Sequence, residues 1–143
     1  MLPAPESLIP HRRPQLLLTR LIELDGARLI AEADFADDHW PADGIPGMQL
    51  VEGLAQAMAC LGRLRGEAGA AILLGVPKAA FPTIARAPCT LRFEVAIVEQ
   101  RYRITEARGT VTRSADGVVV CTASLNAALF DTPMVDAPGK PQP

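Results

Sequence analysis

Only two histidines, three cysteines and one tryptophan occur in this 143-residue chain, and each scarcity removes a class of chemistry. The cysteines, Cys60, Cys89 and Cys121, are odd in number and widely spaced, so they fit neither a disulfide framework nor a metal cluster. With a single catalytic-looking histidine and no Cys pair, a zinc site is not expected, and the thiols read as small core residues in a reducing compartment. The net charge of −2 carries no basic excess, which argues against nucleic acid as the main partner. No apolar run reaches membrane-spanning length: the longest candidate is interrupted by Glu52, Gln56, Arg63 and Arg65. The first ten residues hold Pro3, Pro5 and Pro10 and lack a basic stretch before an apolar one, so no signal peptide is expected and a soluble cytoplasmic protein is the default. No internal repeat is visible.

What is present is a globular composition, 49% hydrophobic and 21% charged, in a chain long enough for one domain with a real core. Residues 1–14 are Pro-rich and aperiodic. Leu16–Leu24 and Ala27–Phe35 are apolar runs around Asp25-Gly26, a hairpin signal of the type I′ kind. A loop with Pro41, Gly44, Pro46 and Gly47 follows. Met48–Gly66 has helical spacing at Leu50, Val51, Leu54, Ala55, Met58, Leu61 and Leu64, with small residues leaving its other faces nearly apolar too. Such a helix is expected to be buried and wrapped by a sheet, ending at Gly66. Strands are expected at 70–76, 89–98, 102–113 and 118–130, the last two flanking a second Asp-Gly pair, Asp116-Gly117. From Asp131 the composition turns to Pro, Gly and Asp, so residues 1–130 read as one domain and 131–143 as a flexible tail. The fold class is α+β: a curled antiparallel sheet round one long central helix. A sheet wrapping one helix leaves edges that need cover, and dimerisation would supply it.

Residues 39–56 carry the chemistry. His39 precedes a turn and a Pro46-Gly47 helix start, and Glu52 stands where the amphipathic pattern would want an apolar residue. A histidine and a buried carboxylate bracketing a helix N-terminus are the parts for acid–base work beside an oxyanion site. Gln56 lies one turn after Glu52 on the same face and could orient it. The plain alternatives are a loop histidine packed on Trp40 and a solvated or ion-paired carboxylate.

Four segments in order resemble the β-hydroxyacyl-ACP dehydratases of bacterial fatty-acid synthesis, over roughly residues 8–130. They are Ile9-Pro10-His11-Arg12-Arg13-Pro14-Gln15-Leu16-Leu17-Leu18-Thr19-Arg20, Asp38-His39-Trp40-Pro41, Pro46-Gly47 through Glu52-Gly53-Leu54-Ala55-Gln56, and Val76-Pro77-Lys78-Ala79-Ala80-Phe81. Asp38, Gly44 and Ile45 depart from the family pattern, and the loop from His39 to Pro46 is one residue shorter. These departures point to a divergent branch similar to dehydratases of aryl-polyene or other specialised pathways.

The resemblance implies a hotdog fold and removal of water from a 3-hydroxyacyl thioester, held on the phosphopantetheine of acyl carrier protein, to give the trans-2-enoyl thioester. His39 would take the C2 proton, Glu52 would handle the hydroxyl, and the Gly47 N–H would face the thioester oxygen. His39 and Glu52 would come from different subunits of a homodimer or higher oligomer. No metal and no cofactor are implied. Burial on the apolar helix would raise the pKa of Glu52. His11 would belong to a structural N-terminal motif. Arg12, Arg13, Lys78 and Arg86 are candidate contacts for the acidic carrier, and Met58, Phe81 and Phe93 could line an acyl tunnel. A hotdog thioesterase using Glu52, and a non-catalytic acyl-binding hotdog subunit, are the competing readings.

Overall fold

The computed structural model describes residues 1–36, 40–67 and 70–130. Among these residues six strands and one long helix follow a short 3-10 turn, Pro5–Ser7: β1 (Arg20–Asp25), β2 (Arg28–Phe35), α1 (Gly47–Leu64), β3 (Ala70–Ala80), β4 (Cys89–Arg101), β5 (Ile104–Arg113) and β6 (Val119–Phe130). The strands form one antiparallel sheet in the order β1-β2-β4-β5-β6-β3. The sheet curls so that α1 packs against β2, β4, β5 and β6. Among the described residues β1 and β3 are the edge strands.

Alternation along the strands places the core. In β4, Leu91, Phe93 and Val95 are fully buried, with Val111 of β5 and Leu125 of β6 in the same cluster as Leu54, Ala57 and Leu61 of α1. Helix and sheet approach closely where the helix is narrowest: a Cβ on Gly53 would lie 2.3 Å from Cε1 of Phe93. Gly109 of β5 makes room in the same way for the Leu54 side chain.

The first strand starts later than the apolar run suggests. Leu16, Leu17 and Leu18 are buried, but among the described residues their backbone bonds go to side chains and to the Arg12 carbonyl, which accepts the Leu16 N–H, rather than to a neighbouring strand. The Arg13 guanidinium donates to the carbonyls of Leu16 and Leu18, and the Leu17 N–H donates to Gln56 Oε1. Ladder pairing begins only at Arg20 opposite Glu32.

The first hairpin also shifts by one residue: Asp25 pairs with Arg28, so the two-residue loop is Gly26-Ala27. Gly26 takes φ +60° and Ala27 stays at negative φ, which fits a type II′ turn with glycine first rather than type I′. The β4–β5 turn had no glycine to mark it. Tyr102 supplies the left-handed residue itself, at φ +56°, with its side chain almost wholly in solvent. The helix stops as expected, with Gly66 at φ +84° just past its end.

Candidate active site

Glu52 lies on the stripe of α1 that looks away from the sheet, with Met48, Ala55, Ala59 and Arg63. Its side chain is 45% exposed. In the single subunit, then, the carboxylate is half-exposed where the helical pattern led to the expectation of a buried one. Leu50, Val51 and Leu54 are its neighbours in sequence, but they turn toward the sheet and are buried there.

Gln56, one turn on, is by contrast 1% exposed and fully used. Its Oε1 accepts the Leu17 N–H at 2.9 Å, and its Nε2 donates to the Gln15 carbonyl at 2.7 Å and to Glu52 Oε1 at 3.1 Å. The segment before β1 therefore fixes the amide, and the amide holds the carboxylate.

The same N-terminal segment brings a second group to Glu52. His11 Nε2 stands 3.7 Å from Glu52 Oε1. The Arg12 guanidinium folds back onto the carbonyls of Ile9 and His11. Sequence reasoning placed His11 in a structural motif and missed this approach. The Pro-rich segment has no periodicity to say that it folds back on the helix.

A cavity of about 580 Å³ runs from this cluster along the outer face of α1. His11, Glu52 and Gln56 line it, then Ala55, Met58 and Ala59 of the helix, Ala71 and Leu73 of β3, and Ile97 and Ala127 of the sheet. The helix and sheet residues give it an apolar stretch of wall, and Glu6, Arg12, Arg63 and Glu67 add charged groups to its lining. Of the three expected tunnel residues, Met58 is here. Phe81 lines a different cavity, with Pro46, Gly47, Met48 and Ile84. Phe93 lines neither, because its ring is fully buried against Gly53 in the core.

Gly47 is the first residue of α1, preceded by Pro46, which supplies no side-chain cap, and the Phe81 ring lies where its Cβ would be. The first N–H groups of a helix have no intrahelical acceptor, so this end can donate to an anionic oxygen. Glu52 is five residues on, turned by about 140° round the axis, and faces the other cavity. Within one chain Gly47 and Glu52 are not brought together. His39 lies outside the described residues. Trp40 beside it packs edge-on against Phe35, ring centroids 5.1 Å apart.

The thiols offer no nucleophile. Burial pushes Cys60 up to about 12 and Cys121 up to about 11, and burial also raises half-buried Cys89. Among the described residues no cluster of His, Cys, Asp or Glu is arranged to hold a metal ion, and no helix is long and apolar enough to cross a membrane. Arg12 and Arg13 spend their guanidinium groups on backbone carbonyls. Lys78 and Arg86 are exposed.

Comparison with known proteins agrees with this architecture. The ApeP-like family, described as ApeP dehydratase, matches residues 3–128. The chain is similar to the 3-hydroxyacyl-[acyl-carrier-protein] dehydratase FabZ of Roseiflexus castenholzii, 36% identical over 133 residues, covering 86% of this chain and 92% of that protein. It is similar also to FabZ of Staphylococcus carnosus, 32% identical over 136 residues, covering 88% and 92%. Among solved structures, the dehydratase heterocomplex ApeI:P from Xenorhabdus doucetiae superposes with a TM-score of 0.79 at 19% identity, covering 92% of this chain and 94% of that one. The E. coli PaaI protein superposes at 0.68 and 14%, covering 76% and 81%. The sheet wrapped round one helix is the hotdog fold, and the chain belongs to the ApeP-like dehydratase family.

Proposed function

We infer that this chain dehydrates a 3-hydroxyacyl thioester carried on acyl carrier protein to the trans-2-enoyl thioester. The single observation that carries the assignment of its site is the Gln56 clamp, which holds Glu52 in the lining of a cavity of about 580 Å³ whose helix and sheet walls are largely apolar. The elimination moves one proton from C2 and one onto the leaving hydroxyl. The C3–O bond breaks, the C2=C3 bond forms and water departs, with no net redox change. Glu52 protonates the hydroxyl as it leaves. His39 takes the C2 proton, imidazole being the side chain that titrates near neutral pH. The Gly47 N–H, backed by the helix dipole, receives the charge gathering on the thioester oxygen. Gln56 orients the acid. Such an elimination asks for no metal and no cofactor beyond the phosphopantetheine of the carrier.

A second copy of this chain completes the site. Edge strand β3 exposes Ile72, Leu73 and Leu74, an apolar edge that the described residues of one subunit leave unpaired. Ala71 and Leu73 near its start border the Glu52 cavity, and Phe81 just past its end covers Gly47. Pairing two β3 edges antiparallel about a two-fold axis sets the start of one strand beside the end of the other. The Gly47 end of one subunit then meets the Glu52 cavity of its partner, which is what one substrate needs from both. Exposed Lys78 and Arg86 suit the acidic carrier, and the reaction belongs in the cytoplasm.

Incubation of purified chain with a 3-hydroxyacyl-pantetheine thioester, followed by mass spectrometry, yields the enoyl product with loss of water. Glu52→Gln and His39→Ala each abolish it. Full activity in both variants removes the dyad. Release of free thiol without enoyl product identifies a thioesterase instead. A monomeric chain that turns over only with a different hotdog subunit replaces the homodimer by a heterocomplex, the form of the Xenorhabdus doucetiae protein.

A further inference from the structure

We propose that His11 positions Glu52: its Nε2–H and the Gln56 amide both address Oε1, which leaves Oε2 as the carboxyl oxygen that serves the substrate. This deepens the dehydratase reading and rests on it.

Three observations carry the inference. Gln56 Nε2 donates to Oε1 at 3.1 Å, and His11 Nε2 lies 3.7 Å from the same atom. Among the described residues no hydrogen bond reaches Oε2. The third observation is His11 Nδ1, which is buried and has no hydrogen-bond partner among the described residues. A buried N–H without an acceptor is rarer and costlier than a buried lone pair. The neutral ring therefore carries its proton on Nε2, the nitrogen that faces Glu52. At 3.7 Å the bond is not yet closed, but Glu52 is held at one oxygen and half in solvent, so a small side-chain rotation closes it.

The consequence is a carboxyl group with two distinct ends. Oε1 is held by the amide from the next turn of the helix and approached by His11 from the N-terminal segment. The substrate's hydroxyl must then be met by Oε2, on the cavity side. Without His11, one amide alone resists rotation about the last side-chain bond of Glu52, and the two oxygens can exchange places. His11 touches neither base nor thioester in this account, so its loss slows turnover rather than weakening binding.

The test is steady-state kinetics on the assembled enzyme with a 3-hydroxyacyl-pantetheine substrate, thermal unfolding being recorded for each variant. His11→Ala lowers kcat by about tenfold, a part of the roughly 10²–10⁴ that acid–base groups supply, with KM nearly unchanged. His11→Gln, whose amide can place an N–H near the lost Nε2, recovers most of the kcat. His11→Leu, which refills the space without a donor, does not. In a Glu52→Gln background His11→Ala causes no further loss of the residual rate.

Unchanged kcat in His11→Ala, a change confined to KM, or equal rescue by leucine and glutamine would each overturn the proposal while leaving Glu52 in place, provided Glu52→Gln is inactive. A fully active Glu52→Gln enzyme would overturn the assignment of Glu52 and this inference with it. Should His11→Ala fail to fold, the glutamine and leucine variants, both of which fill the site, read the same contrast.

Discussion

Replacing Gln56 by methionine separates the structural duty of this residue from its chemical one. Methionine keeps the length and nearly the volume of glutamine, so it opens no cavity and removes only the amide. Three hydrogen bonds go with it, but they are not equal. Gln15 is exposed and Glu52 half-exposed, so water replaces the amide at both for little cost. Leu17 is buried, and its N–H loses its acceptor where water cannot follow. An unsatisfied buried donor costs about 1–3 kcal/mol. The thioether gains some of this back, because it no longer buries a polar group, so the net loss is about 1–2 kcal/mol. Scaling between small and large domains, each kcal/mol lowers Tm by roughly 3–5 °C here. Urea unfolding measures this directly as a lower midpoint with an unchanged slope. In parallel, kcat falls, because Glu52 has lost its donor. A Gln56→Met protein within about 0.5 kcal/mol of wild type would refute the reasoning, since the Leu17 N–H would then have another partner.

Gly53→Ala is expected to destabilise, although alanine is the better helix former by about 1 kcal/mol. The new methyl would meet the Phe93 ring at 2.3 Å in a filled core, and overpacking costs about 1–3 kcal/mol or more; Phe93→Leu in the same chain should relieve part of it, so a double-mutant cycle by urea unfolding that finds the two changes additive would contradict the contact. At the β4–β5 turn, Tyr102→Gly should raise stability by up to about 1 kcal/mol, since a left-handed conformation is strained for tyrosine. The Tyr102 side chain is 99% exposed and gives up no packing, so a lower melting temperature in this variant would show that the turn is not strained.

The sequence's own patterns reached the elements further than their faces. Period 3.6 found α1 to within two residues at each end, and alternation found Leu91, Phe93 and Val95 on one side of β4. Neither pattern says what lies opposite. Phe93 could stand in a tunnel or in a core, and only Gly53 across from it decides for the core. Glu52 looked buried because Val51 and Leu54 are apolar, but neighbours in sequence are about 100° apart round a helix. Gln56 was legible as an orienting group from its spacing alone. Its anchors, Leu17 and Gln15, were not, since about forty residues separate them and loop contacts of that range leave no local signature. His11 was missed for the same reason. The Tyr102 turn was missed because strain in a single exposed residue carries no compositional mark.

The two tightest constraints on α1 sit beside the one carboxylate that the chemistry needs. Contact between Gly53 and Phe93 sets how deep the helix lies on the sheet. The Gln56 bonds to Leu17 and Gln15 set its rotation, by tying one face to the N-terminal segment. Depth and rotation together fix the Cα of Glu52, one residue before the first constraint and four before the second. A helix held only by apolar packing could rotate by small steps at little cost, since hydrophobic contact has no direction. The buried amide adds direction, and a hydrogen-bonding error there is costly in the way that a packing error is not. This gives a polar residue a reason to stand at a fully buried position where leucine would serve the core as well. It also explains why the N-terminal segment, lacking regular structure beyond one short turn, is nonetheless part of the site: it supplies the acceptor and donor that orient Gln56, and it delivers His11 to the same oxygen.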